Sequence, residues 1–115
     1  MRVENLMQRK SHLVRLGVYP DNPDLLRQWL MQEPSMNANA ADHSTHYELQ
    51  FGLLLETIMD TSIPKQWRVT CLDQIFQPIR NLQSRNKCEY STEAVTRMLQ
   101  LLSANRASIE NELYL

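Results

Sequence analysis

Potential metal ligands are concentrated immediately before the most apolar part of the chain. His43 and His46 stand three residues apart, so a helix would place both on one face, with Asp42 or Glu48 as an oxygen ligand. The same stretch suits a helix start, because Thr45 and Glu48 have the spacing of a capping box. We favour the capping interpretation, since it already uses the Glu48 carboxylate, and we predict no metal ion and no other cofactor.

Nucleophilic catalysis would need a serine, threonine or cysteine beside a base. The sequence contains three histidines, His12, His43 and His46, and none of them accompanies a known nucleophile motif. With two glycines in all, the chain also lacks a glycine-rich phosphate loop. Cys71 and Cys88 match neither a metal-binding nor a redox spacing. The sequence therefore predicts a protein without enzymatic activity.

A locally basic segment, residues 64–88, is the clearest indication of an anionic partner. It carries Lys65, Arg68, Arg80 and Arg85, although the whole chain has a formal net charge of −1. Two predicted helices meet just before it, as in a helix-turn-helix, and Lys65 and Arg68 fall in the first turn of the second helix. That helix is heavily apolar, however, which is more typical of a core helix than of a recognition helix. A transcriptional regulator that binds nucleic acid through these four residues is therefore the alternative hypothesis.

The elements that would position these residues are indicated by two apolar stripes with helical spacing. The stripes comprise Tyr47, Phe51, Leu54, Leu55 and Ile58, followed by Trp67, Cys71, Leu72, Ile75, Phe76, Ile79 and Leu82. Because only a short connection separates them, we predict that the two helices pack antiparallel as an αα-hairpin. Pro78 has no backbone N–H, so it should kink or split the second helix near Phe76.

The N-terminal part predicts a pair of helices within residues 3–33. Gly17 suits the left-handed residue that ends the first helix, and Asn22 with Pro23 forms a start signal for the second. Residues 34–44 are rich in turn-forming residues, and we predict that they form a linker to the hairpin.

A last long helix is predicted towards the C-terminus. Ser91 has the character of its N-cap. Arg106 interrupts the apolar stripe of this helix, so we expect the helix to leave the core near Asn105.

Length and composition set the fold class. A chain of 115 residues corresponds to about one domain, and a hydrophobic content of 43% is enough for a single core. Few glycines and few alternating β-branched runs argue against an all-β fold. We therefore predict one all-α domain over residues 1–115, a small bundle of about five helices in which residues 45–115 form the central hairpin and the C-terminal helix.

The chain shows neither a signal peptide nor a membrane-spanning segment. The N-terminus lacks the apolar core of a signal peptide. No apolar run reaches the length needed to cross a bilayer. These absences predict an intracellular, cytoplasmic protein without a membrane partner.

Surplus apolar surface is the feature that favours a function. The first helix of the hairpin is apolar nearly all round, because Leu49, Leu53 and Met59 flank its main stripe. In a small helical domain without visible chemistry, such surface favours binding to another protein, or to a second copy in a homodimer. We therefore predict an adaptor, regulator or assembly subunit, with Leu53, Met59, Trp29 and Met98 as the partner-binding residues.

Overall fold

The computed structural model describes residues 3–34, 39–85 and 89–113, with side chains for residues 9–34, 39, 42–84 and 92–113. Within these ranges all regular secondary structure is helical, which confirms the predicted all-α class. The helices are α1 (Val3–Leu16), α2 (Pro23–Leu30), α3 (Ala40–Met59), α4 (Lys65–Asp73), α5 (Gln77–Arg85), α6 (Glu89–Ala104) and α7 (Arg106–Leu113). There are more helices than predicted because two of the expected helices are each divided in two.

Helix α3 forms the centre of the fold. It contacts α1, α4, α5, α6 and α7, and its predicted apolar stripe is buried. The core around it is completed by side chains from the other helices, including Val14, Leu26, Trp67, Ile75, Leu82, Ala94, Met98 and Ile109. The antiparallel direction of α3 relative to α4 and α5 stays a prediction.

The start of α3 differs from the sequence-based prediction. The helix begins at Ala40, so the prediction of a linker over residues 34–44 is wrong for its last five positions, and residues 35–38 lie outside the described ranges. The capping box is made by Asn39 and Asp42 rather than by Thr45: the Asn39 side chain accepts from the Asp42 N–H at 2.9 Å, and the Asp42 carboxylate accepts from the Asn39 N–H at 3.3 Å. Two alanines after Asn39 extend the helix because they favour helical structure.

The end of α1 confirms the predicted role of Gly17. Its φ is 59°, its N–H donates to the Val14 carbonyl, and the Val18 N–H donates to the Leu13 carbonyl, as in a Schellman motif. A Cβ atom on Gly17 would lie 2.9 Å from Trp67 Cδ1. The Trp67 indole N–H also donates to the Val14 carbonyl at 2.7 Å. This turn therefore holds α1 closely against α4.

The division between α4 and α5 confirms the predicted effect of Pro78. Residues 74–76 form turns, and Pro78 occupies the first turn of α5, where its missing N–H removes no helical hydrogen bond. The main stripe nevertheless stays buried across the division, since Cys71, Ile75, Ile79 and Leu82 all belong to the core. Phe76 directly follows the buried Ile75 and lies off this side; it is 43% exposed, and its predicted place in the buried stripe is wrong.

The division between α6 and α7 occurs at Asn105, whose side-chain amide donates to the Leu101 carbonyl at 2.8 Å. After the bend α7 contacts α3 and α4, and its residues Ile109 and Leu113 are buried. The prediction that the chain leaves the core near Asn105 is therefore wrong. Ser91 lies inside α6, so it does not cap that helix.

A flat outline gives the helices broad outer faces. The described part measures 42 × 37 × 17 Å along its principal axes. The shortest dimension corresponds to about two layers of helices, given the usual spacing of about 8–10 Å between packed helix axes. Among the described helices, none combines the length and the apolar character that crossing a membrane would require.

Candidate partner-binding surfaces

An apolar groove lies where the α4–α5 turn, α6 and α7 meet. It is lined by Leu72, Phe76, Leu99, Leu102 and Ile109, and we call it the Phe76 groove. Its cavity volume is about 550 Å³. Phe76 and Leu99 are 43% and 44% exposed, whereas Ile109 is buried at 4%. The groove therefore has a buried apolar floor and two large hydrophobic side chains on its walls.

Charged side chains border this groove. Arg106 and Glu110 pair with each other across one turn of α7, at 3.0 Å. Asp73 is the last residue of α4 and is exposed. A carboxylate at this position adds to the partial negative charge of the helix C-terminus, and the last turn of α4 holds no basic residue to offset it. The border nearest Asp73 is therefore electronegative.

The predicted partner-binding residues do not form one surface. Trp29 and Met98 belong to the core, at 4% and 1% exposure, so in this conformation neither is available to a partner. The Trp29 indole N–H donates instead to the Ser11 hydroxyl at 2.9 Å. Leu53 and Met59 are half-buried and pack against the core from α3. Neither of them lines the Phe76 groove.

The predicted nucleic-acid-binding residues are also separated by their environments. Arg68 is buried at 5%, where its Nε donates to the Ile58 carbonyl at 2.8 Å and a terminal nitrogen pairs with Glu112 at 3.0 Å. It therefore joins α4 to the end of α3 and to α7, and it presents no free charge to a phosphate. Lys65 and Arg80 are exposed, and the side chain of Arg85 lies outside the described part of the chain.

Most residues considered for metal binding have other contacts, but the buried Nδ1 atom of His43 has no hydrogen-bond partner among the described residues. Asp42 takes part in the capping box of α3, and His46 Nε2 lies 2.9 Å from the Gln32 carbonyl oxygen. No group of three or more potential metal ligands occurs among the described residues. Burial raises the pKa of the Cys71 thiol to about 12, and Cys88 lies outside the described ranges.

A second exposed surface lies on the outer side of α3. It contains Leu49, which is 69% exposed, together with Gly52 and the half-buried Leu53. An adjoining cavity of about 420 Å³ lies between α3 and residues of α1 and α2, including Ser11 and Trp29. The sequence-based prediction named one residue of this surface, Leu53. It did not use Gly52, although a glycine inside a helix can indicate a packing or functional role.

Comparisons with known proteins add no family to these observations. The chain matches no family model, and no match was found among curated proteins or among solved structures.

Proposed function

We propose that the chain is a protein–protein interaction module, acting as an adaptor, regulator or assembly subunit, and that its Phe76 groove binds an amphipathic helix of another protein. The observation that carries this proposal is the pair of half-exposed side chains, Phe76 and Leu99, above an apolar floor. Large aromatic and aliphatic side chains grouped in a concave apolar site are typical of helix-in-groove recognition.

The elements that border the groove support a helical ligand. An amphipathic helix presents anchors at positions i, i+3 or i+4, and i+7, over about 10 Å of its axis. The α4–α5 turn, α6 and α7 border the groove on three sides, so such anchors would be surrounded by side chains. Phe76 is the largest apolar side chain that lines the groove, and we propose it as the principal anchor.

The charges at the border indicate the character of that helix. Asp73 has no cation in the last turn of its own helix, and Glu110 already pairs with Arg106. A lysine or arginine beside the apolar face of the partner helix would offset the charge of Asp73 and of the α4 C-terminus. We therefore propose a basic amphipathic helix as the ligand of the Phe76 groove.

This proposal replaces the predicted set of anchors and does not use the basic segment. The nucleic-acid alternative loses Arg68, since that side chain is committed to Ile58 and Glu112. A cytoplasmic location and the absence of enzymatic activity stay predictions.

A capture experiment with matched variants tests the proposal. The tagged full-length chain, its Phe76→Asp variant and its Tyr19→Asp variant would be purified from the native host, with and without nuclease. Tyr19 is 54% exposed and lies outside the groove, so Tyr19→Asp controls for the charge and the lost aromatic ring. Circular dichroism would confirm that each variant is folded.

We expect a protein that survives nuclease treatment, binds the wild type and Tyr19→Asp equally, and is lost with Phe76→Asp. The binding segment, prepared as a peptide, should be helical and basic, and Phe76→Asp should weaken its affinity at least about tenfold, as expected for an interface hot spot. Equal capture by Phe76→Asp would refute the groove. Recovery of nucleic acid, with affinity falling steeply as salt increases, would instead favour the basic segment.

A further inference from the structure

Gly52 occupies an unusual place in the middle of α3. Glycine inside a helix costs about 0.5–1 kcal/mol relative to alanine, because it loses more backbone freedom on folding. A Cβ atom built on Gly52 would meet nothing within 4 Å. Packing within the described part of the chain therefore does not require a glycine here.

What the glycine provides is an open patch on the surface of α3, beside the exposed Leu49. Leu49 and Leu53 lie on the same side of α3. Leu49 is about one turn before Gly52 and is 69% exposed, and Leu53 directly follows Gly52. We call Leu49, Gly52 and Leu53 the Gly52 face. The missing side chain lets another backbone approach α3 closely, with the leucines packing beside it.

The cavity beside this face has one polar group in its wall without a partner. Gln50 is buried at 4%, and its side-chain N–H donates to the Trp29 carbonyl at 3.2 Å. Its side-chain oxygen accepts no hydrogen bond from the described residues. A buried unsatisfied acceptor is costly, but this oxygen exposes less than 1 Å² to solvent, so a helix docked on the outer side of α3 would not reach it.

The charges around the face indicate what the ligand is. Glu48 and Glu56 stand four residues on either side of Gly52, and no lysine or arginine is among the residues that line the cavity. The Glu48 carboxylate pairs with Arg97 at 2.6 Å. This hydrogen bond raises the pKa of Arg97. Glu56 is freer: its side chain is 72% exposed, and its contact with Arg15 is 3.5 Å.

These charges also argue against a second copy of the chain as the ligand. A symmetric antiparallel crossing centred on Gly52 would place Glu56 of each copy near Glu48 of the other. Glu56 of one copy would then meet a Glu48 whose charge Arg97 already offsets, so it would gain no cation of its own. A helix that carries a lysine or arginine would instead meet Glu56 with the opposite charge.

We infer that the Gly52 face is a second docking site, independent of the Phe76 groove, for a protein helix with a small residue at its centre and a basic residue about one turn away. The small residue packs over Gly52, and the basic residue pairs with Glu56. With both sites, one chain would bind two helices and so act as an adaptor.

Selection from a peptide library tests this inference. The probe is a displayed library of alanine-rich helical peptides, about 20 residues long, randomised along one face. It would be selected on the purified full-length chain and counter-selected on Gly52→Leu. Gly52→Gln provides a second bulky variant, and circular dichroism would show that both are folded. Phe76→Asp is the control that leaves this face intact.

We expect the selected peptides to carry, at the randomised positions, a small residue at the centre of the face and a lysine or arginine about one turn away. Their affinity should fall at least tenfold with Gly52→Leu, Gly52→Gln and Glu56→Lys, and should be unchanged with Phe76→Asp. Peptides that bind both Gly52 variants as tightly as the wild type, or failure to select any peptide that distinguishes them, would overturn the inference. So would a dimer, detected by sedimentation, that Gly52→Leu abolishes. The Phe76 groove is tested separately, because only the capture experiment depends on Phe76.

Discussion

Replacing each of the two glycines by alanine should change the free energy of unfolding in opposite directions. Gly52 lies in the interior of α3 with open space where a Cβ atom would be placed. Gly17 has a φ of 59°, and its Cβ atom would lie 2.9 Å from Trp67 Cδ1 and 3.0 Å from Ile63 Cγ2. The same substitution therefore removes backbone freedom at one site and introduces strain at the other.

The magnitudes follow from these environments. Gly52→Ala should stabilise the fold by about 0.5–1 kcal/mol, because alanine is the better helix former and meets no neighbour. Gly17→Ala should cost about 1–2 kcal/mol for the left-handed conformation. Displacing the Trp67 ring adds about 1–3 kcal/mol, as for other overpacked sites. The two variants should therefore differ by several kcal/mol.

Urea unfolding followed by circular dichroism measures both effects, and thermal unfolding gives a second reading. Gly52→Ala should raise the melting temperature by about 3–6 °C for a domain of this size. A Gly52→Ala variant less stable than the wild type would show that α3 is not a helix open to solvent at this position. A Gly17→Ala variant as stable as the wild type would refute the close packing of the α1 turn on Trp67.

Three further predictions concern single side chains. Arg68→Ala leaves the buried carbonyl of Ile58 without its donor and should lower the free energy of unfolding by about 1–3 kcal/mol. Glu112→Gln, at a partly exposed ion pair, should lower it by about 0–1 kcal/mol. Urea unfolding of the two variants measures both changes. Hydrogen bonds from Ser62 and Arg15 lower the pKa of Asp60 from 3.8 to about 2, so its ionised form stabilises the fold above about pH 4, and this contribution is lost as the pH falls towards 2. The stability difference between wild type and Asp60→Asn should shrink over that interval, and a constant difference would contradict the assignment. In a Cys88→Ser background, Cys71 should react with iodoacetamide only after unfolding, since burial raises the pKa of its thiol to about 12; rapid labelling of the folded chain, followed by mass spectrometry, would contradict its burial.

Local signals that depend on backbone chemistry were predicted correctly from the sequence. Gly17 ends α1 because only glycine adopts the left-handed conformation without a steric cost. Pro23 follows Asn22 at the start of α2, and Pro78 divides the second stripe where its missing N–H requires it. Each of these outcomes is determined by one or two residues, so a single sequence is enough.

Features that depend on competing local signals or on tertiary packing were not predicted. The capping signal at Thr45 competed with the one at Asn39, and the better helix formers between them moved the start of α3 to Ala40. Phe76 stands at the edge of the apolar pattern and lines a groove, whereas Ile75 before it and Ile79 after it are buried. A periodic pattern predicts which side of a helix is apolar, but it does not show whether a neighbouring helix covers a residue at the edge of that side.

The central position of α3 gives the two proposed surfaces different rigidity. Because α3 packs against five other helices, its backbone amides should exchange with solvent mainly through global unfolding. The Gly52 face would then be a preorganised site that loses little entropy when a helix binds. The Phe76 groove, in contrast, is assembled from a turn and the outer helices α6 and α7, whose local opening requires less free energy. A helix bound in the groove should therefore slow hydrogen exchange in α7, whereas binding at the Gly52 face should leave the exchange rates of α7 nearly unchanged.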